Sequence, residues 1–163
     1  QDDPSTAAQN PGTPVKLAGV TDFDPSADPP EENPDTAANA IDGDPSTSWT
    51  TSTYRGDAAL GGLKPGVGLM VDLGRDTEAT SVSVRFKGQP TSFKVYAAPA
   101  GVTEPPESLD QLDQVGAQAD APQRATVELD PTPKTRYLLV WLTRLPEVSG
   151  GFRGEITDIT VRS

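Results

Sequence analysis

The chain has no cysteine and no histidine, a single methionine, and only 6% aromatic residues. Absence of cysteine rules out disulfides, thiolate nucleophiles and tetrahedral zinc–thiolate centres. Absence of histidine removes the commonest general bases and the usual activators of a serine nucleophile. Ser–Lys pairs and paired carboxylates remain as catalytic options, yet the acids cluster in proline-rich loops with no pairing at strand ends. The glycine-rich run Gly61-Gly62-Leu63-Lys64-Pro65-Gly66 lacks the strand-to-helix setting of a phosphate-cradling loop. The expectation is therefore a protein that is not an enzyme. No run approaches the ~18 apolar residues that would span a bilayer, and no signal peptide heads the sequence. It reads as an ectodomain or mature form, with membrane contact only through a tether outside this chain.

What the sequence does contain is acid, proline and glycine. Its 163 residues carry a formal charge of -11, with 17 prolines, 15 glycines and an apolar fraction of 34%. A surface this acidic repels phosphate backbones and anionic lipid, so nucleic acid is excluded as a partner. Glycine and proline cost about 1 and 3 kcal/mol in helix interiors, whereas a β-sandwich with long loops accommodates both. The fold class is all-β.

Residues 1–14 are rich in proline, serine and threonine without apolar periodicity, and read as a flexible linker before a domain at 15–163. Residues 15–20 suit a first strand, and 22–34, with four prolines and five acids, a loop. Asp35 is placed to cap a helical turn over 35–40. Strands are expected at 47–53, 69–74, 79–86, 92–98 and 123–129, the clearest being 79–86, where Val82, Val84 and Phe86 alternate with Ser81, Ser83 and Arg85. The stretch 99–122 reads as a long acidic interruption, with 107–115 a short helix or turn. Residues 136–142 (RYLLVWL) are apolar on both faces, as in a central strand covered on both sides. Residues 147–154 form a glycine loop, and 156–161 a closing strand. About eight strands in this order fit a jelly-roll sandwich of two sheets.

The most informative stretch is Ala38-Asn39-Ala40-Ile41-Asp42-Gly43-Asp44-Pro45-Ser46-Thr47-Ser48-Trp49. Calcium takes 6–8 oxygen ligands, and Asp42, Asp44 and Thr47 supply several around a tight turn that Gly43 permits. The same residues also make an ordinary turn, in which aspartate bonds its own backbone two residues on. Trp49 and Trp141 lie within strand patterns and are expected in the core. Ligand contacts fall better on loops. Tyr54 beside Arg55, and Phe152 beside Arg153, each pair an aromatic face with a guanidinium able to hold a sugar.

The order of these pieces resembles the discoidin, or coagulation-factor type C, family of galactose-binding-like β-sandwiches. The resemblance runs through Ala40–Asp44 with Thr47 and Trp49, Val71-Asp72-Leu73-Gly74, Val82-Ser83-Val84, Phe93-Lys94-Val95-Tyr96, Arg136-Tyr137-Leu138 and the closing Ile156–Val161. It implies a structural calcium held by Asn39, Asp42, Asp44 and Thr47 together with an acid from the last strand, here Asp158 in place of the usual glutamate. More narrowly, the sequence resembles the exported C-terminal domains of mycobacterial MviN-type proteins, which join a lipid II flippase-like membrane region to a pseudokinase. That implies a position on the extracellular or periplasmic side of a membrane protein of peptidoglycan precursor export. The partner implied is a cell-wall carbohydrate or muropeptide. The other reading is an ectodomain that binds a periplasmic or extracellular protein and no small ligand.

Overall fold

The apolar run near the C-terminus organises the sandwich. In a computed structural model describing residues 12–26 and 32–163, this run lies in a strand, Lys134–Arg144, whose side chains alternate between two separate apolar clusters. Leu138, Val140 and Leu142 point into the main core, whereas Tyr137, Leu139 and Trp141 point to the opposite face. Taken in chain order the strands are β1 (Gly19–Phe23), β2 (Trp49–Thr50), β3 (Val67–Glu78), β4 (Ser81–Phe86), β5 (Thr91–Ala97), β6 (Asp113–Ala121), β7 (Arg124–Glu128), β8 (Lys134–Arg144), β9 (Glu147–Val148), β10 (Gly151–Phe152) and β11 (Glu155–Arg162). One sheet has the order β1-β3-β8-β5-β6 and the other β2-β11-β4-β7, with β9 and β10 forming a small hairpin. All pairings are antiparallel.

The alternation expected for β4 holds. Val82, Val84 and Phe86 are buried against β8 and β5, and the Phe86 and Phe93 rings meet at 5.5 Å between centroids. Each such side chain, fully buried, is worth about 1.5–3 kcal/mol. Trp49 and Trp141 are both core residues, at 0% and 2% exposure. Trp141 anchors the outer cluster, packed edge-on against Phe23 at 5.7 Å. Gly66 and Gly68 are needed there, since a Cβ at either would overlap the Trp141 ring or the Val140 carbonyl.

Several expected elements shift. The first strand lies at Gly19–Phe23, four residues later than read, because residues 13–15 instead run beside the end of β11. Residues 1–11 of the expected linker lie outside the described residues. The turn at 35–40 is a 3₁₀ helix, Pro34–Ala40, with Asn33 and not Asp35 at the N-cap position and no side-chain capping bond. The acidic interruption contains a full strand, β6, on the sheet edge beside β5. It escapes the alternation test because Val115 and Ala121 are its only buried apolar residues. Among the described residues no helix is long and apolar enough to cross a membrane.

Candidate functional site

The residues singled out from sequence fall in two places. The first is the loop before β2. Asp42 Oδ1 accepts from the Asp44 amide at 2.9 Å, and Asp42 Oδ2 from the Thr47 hydroxyl at 2.6 Å. Asp44 Oδ1 accepts from the Ser46 amide and hydroxyl at 2.9 and 2.7 Å, and these bonds hold its carboxyl below the usual range. Asn39 Nδ2 donates to the Ser48 carbonyl at 3.0 Å. Asp42, Asp44 and Thr47 thus share one turn, closed by bonds typical of aspartate, and Asn39, in the preceding 3₁₀ helix, is tied to its far end through Ser48.

Asp158 does not join them, which corrects the expected ligand set. A bulge between Ile156 and Asp158 sets Asp158 opposite Arg85 on the outer face of the four-stranded sheet, where Thr160 Oγ1 donates to it at 3.0 Å. The last-strand acid that reaches the loop is Glu155, which accepts from Ser48 Oγ at 2.6 Å and stands 3.9 Å from Lys87 Nζ. Among the described residues no three acids converge on a common point. The ligand shell closed by Asp158 therefore does not assemble.

The second place is where the two aromatic–arginine pairs meet. Tyr54 and Phe152 form a backbone bridge, with bonds of 2.8 and 2.7 Å, so loops a hundred residues apart become neighbours. The four side chains then separate. Arg55 is exposed, and Phe152 and Arg153 are half-buried, Phe152 packing on the main core. The Arg153 Nε is buried without a hydrogen-bond partner among the described residues. Tyr54 is 6% exposed and cannot present a ring face to a sugar, a second correction.

Tyr54 belongs instead to a buried polar cluster that sequence reading missed. Its hydroxyl donates to Glu32 Oε2 at 2.7 Å, which also accepts the Ser52 amide at 2.7 Å. Lys64 Nζ lies 2.5 Å from Asp24 Oδ2, 3.8 Å from Glu32 Oε1 and 5.3 Å from the Tyr54 ring centre. Trp49 Nε1 donates to the Glu32 carbonyl at 2.9 Å, joining this cluster to the core. Burial, with the Glu32 carboxylate beside it, pushes the Tyr54 hydroxyl up to about 12 against the pull of Lys64. Burial likewise raises the Asp24 carboxyl, partly offset by Lys64. Such a cluster orders the loops around it, because removing one partner of a buried pair costs about 3–5 kcal/mol. Beside it opens a polar cleft of about 610 Å³, lined by residues 32–36 together with Thr50 and Ser52.

No protein family model matches the chain. Its fold is that of the discoidin-like, galactose-binding-like jelly rolls, as solved structures show. The CBM32 module of AlyQ, solved with 4,5-unsaturated mannuronic acid, superposes with a TM-score of 0.63 at 16% identity, covering 91% of this chain and 97% of that one. Chitosan-binding module 1 of a chitosanase/glucanase from Paenibacillus sp. IK-5 gives 0.63 at 12% identity, covering 89% and 94%. A family 89 glycoside hydrolase from Clostridium perfringens gives 0.60 at 20% identity, but there the match covers 92% of this chain and only 14% of the enzyme.

Proposed function

We propose that the chain is a non-catalytic carbohydrate-binding module. The observation that carries this reading is its end-to-end likeness to carbohydrate-binding modules solved apart from the enzymes they belong to, with matches to whole hydrolases confined to a small part of each enzyme. The glycan contacts Arg55, Phe152 and Arg153 around the Tyr54–Phe152 bridge, where a half-buried ring and two guanidinium groups stand on loops supported by the buried Glu32 cluster. Preorganised loops of this kind bind without a large ordering cost.

In its finer form the reading takes the glycan to be a cell-wall polymer or muropeptide, and the module to stand outside the membrane as part of an MviN-type protein of peptidoglycan precursor export. The support for this is the resemblance of the alanine-, aspartate-, proline- and threonine-rich sequence to such exported domains. Calorimetric titration with muropeptides and chito-oligosaccharides tests it. Saturable binding weakened by Arg153→Ala and Arg55→Ala is expected. Absence of binding to any glycan, with capture of a periplasmic protein instead, would replace it with the protein-interaction reading.

A further inference from the structure

The outer face of the four-stranded sheet carries a charge pattern that folding does not call for. On β11, β4 and β7 the outward positions form a grid. Asp158, Arg85 and Arg124 make one row, Thr160, Ser83 and Thr126 the next, and Arg162, Ser81 and Glu128 the last. In a chain of net charge -11, three arginines are gathered on one face. Arg85 and Arg124 are directly opposite each other across the β4–β7 pair. Neighbouring strands are roughly 4.8 Å apart, and like charges in that register destabilise a sheet. Among the described residues neither arginine forms an ion pair. The middle row is hydroxylic, with Ser83 Oγ and Thr126 Oγ1 2.8 Å apart and Arg162 Nη1 donating to Ser83 Oγ at 3.4 Å.

This face is also grooved. A cleft of about 310 Å³ runs over the grid, and a second of about 400 Å³, walled by Pro45, Lys87 and Gln123, continues from it. Arg85 and Arg124 line both clefts, so they sit at the junction, with Arg162 towards one end and Lys87 at the other. Asp158 is the one acid lining the first cleft, and Glu128 occupies the far corner of the grid.

We infer that this groove is a binding surface for a carboxylated glycan, a chain of uronic acid units laid across β11, β4 and β7. The inference rests on the carbohydrate-binding reading only in taking the occupant to be a sugar; its site is a different one. Guanidinium groups recognise carboxylates in paired, charge-assisted bonds, and serine and threonine hydroxyls suit ring hydroxyls. Charge density selects among polyanions. Nucleic acid carries a phosphate every 3.4 Å along each strand, which a surrounding acidic surface rejects, whereas one carboxylate per sugar suits three arginines. The face has no large apolar side chain to anchor a protein; the exposed one among the described residues is Leu63, in the loop before β3.

The test is titration with oligogalacturonate and with the same oligomers methyl-esterified, in low and physiological salt, for the full chain and for Arg124→Thr, Arg85→Thr, Arg144→Thr and Arg153→Ala. Expected are binding of the acid form alone, weakening as salt rises, and a loss of roughly tenfold or more in each sheet-face variant. Arg144→Thr, at the exposed end of β8 in the other sheet, should leave it unchanged. Thermal unfolding of Arg124→Thr at or above the parent temperature shows that the loss is not misfolding. Uronate binding untouched by the sheet-face variants overturns the inference, as does inorganic phosphate binding as tightly as the oligomer. Binding of chito-oligosaccharide that Arg153→Ala abolishes, with no uronate binding, overturns it while leaving the loop reading intact. No binding of any glycan removes both.

Discussion

The two sheets use the same inside–outside alternation, yet their outer faces are opposites. On the five-stranded sheet the outward residues of β1, β3 and β8 include Phe23, Met70, Tyr137, Leu139 and Trp141, packed with Ala98 and Leu112 from the flanking segments. On the four-stranded sheet they are arginine, serine, threonine, aspartate and glutamate, and all of them but Ser81 are partly or fully exposed among the described residues. One sheet has been given a second, smaller core by its loops, and the other has been left open. An outer face costs little to leave bare when its side chains are polar, so the open sheet is the one free to carry recognition chemistry.

That contrast can be broken from either side. The largest effect is expected at Trp141, where alanine removes the ring packed against Phe23 and Gly66 and should lower unfolding free energy by about 3–5 kcal/mol in denaturant titration. Tyr54→Phe, at the β2 end of the open sheet, takes away a buried donor from Glu32 and should cost about 1–3 kcal/mol by the same measurement. The rim of the covered face holds a smaller term. Arg136 Nε and Nη2 donate to the two Asp72 oxygens at 2.9 and 3.2 Å, and this lowers the Asp72 pKa. A lowered carboxyl stabilises the fold above its unfolded value of 3.8 and loses that contribution as pH falls through the lowered one. Because both groups are partly exposed, the contribution is below about 1 kcal/mol. Asp72→Asn should lower the melting temperature slightly near neutrality, converge with the parent in acid where Asp72 is protonated, and so flatten the pH dependence across that acid window. Arg124→Thr, on the open face, should move stability by no more than about 0.5 kcal/mol, and upward if at all, as relief of the Arg85 contact requires. Smallest of all is calcium. With Asp158 on the sheet and the Asp42 oxygens occupied by the turn, millimolar calcium should leave the melting temperature unchanged. A rise of several degrees, lost in Asp42→Asn, would show that the loop rearranges to gather ligands.

Most of the fold was legible because burial writes a period into a strand. The run at 136–142 predicted a strand covered on both sides, and Ser81–Phe86 predicted one covered on a single side. What was not legible has a physical reason in each case. Strand β6 pairs along its backbone while burying almost nothing, so it leaves no period. Asp24 and Glu32 sit in a proline-rich acidic loop that reads as solvated, and only the distant Lys64 and Tyr54 explain their burial. Asp158 depended on a bulge that turns its side chain to the outer face of the sheet. Of the arginine grid, Arg85 stood among the outward positions of 79–86, but that β7 and β11 would bring Arg124 and Arg162 alongside it is a matter of topology.

The pairing of residues 13–15 with the end of β11 has a mechanical consequence. Thr13 and Ser163 exchange two backbone bonds, and Val15 donates to Val161, in antiparallel register. The chain therefore enters and leaves the sandwich at adjacent points. A pull applied between those points loads the bonds one after another, as a zipper opens, and not all together in shear. Force between those points opens this short seam before it loads the body of the sandwich.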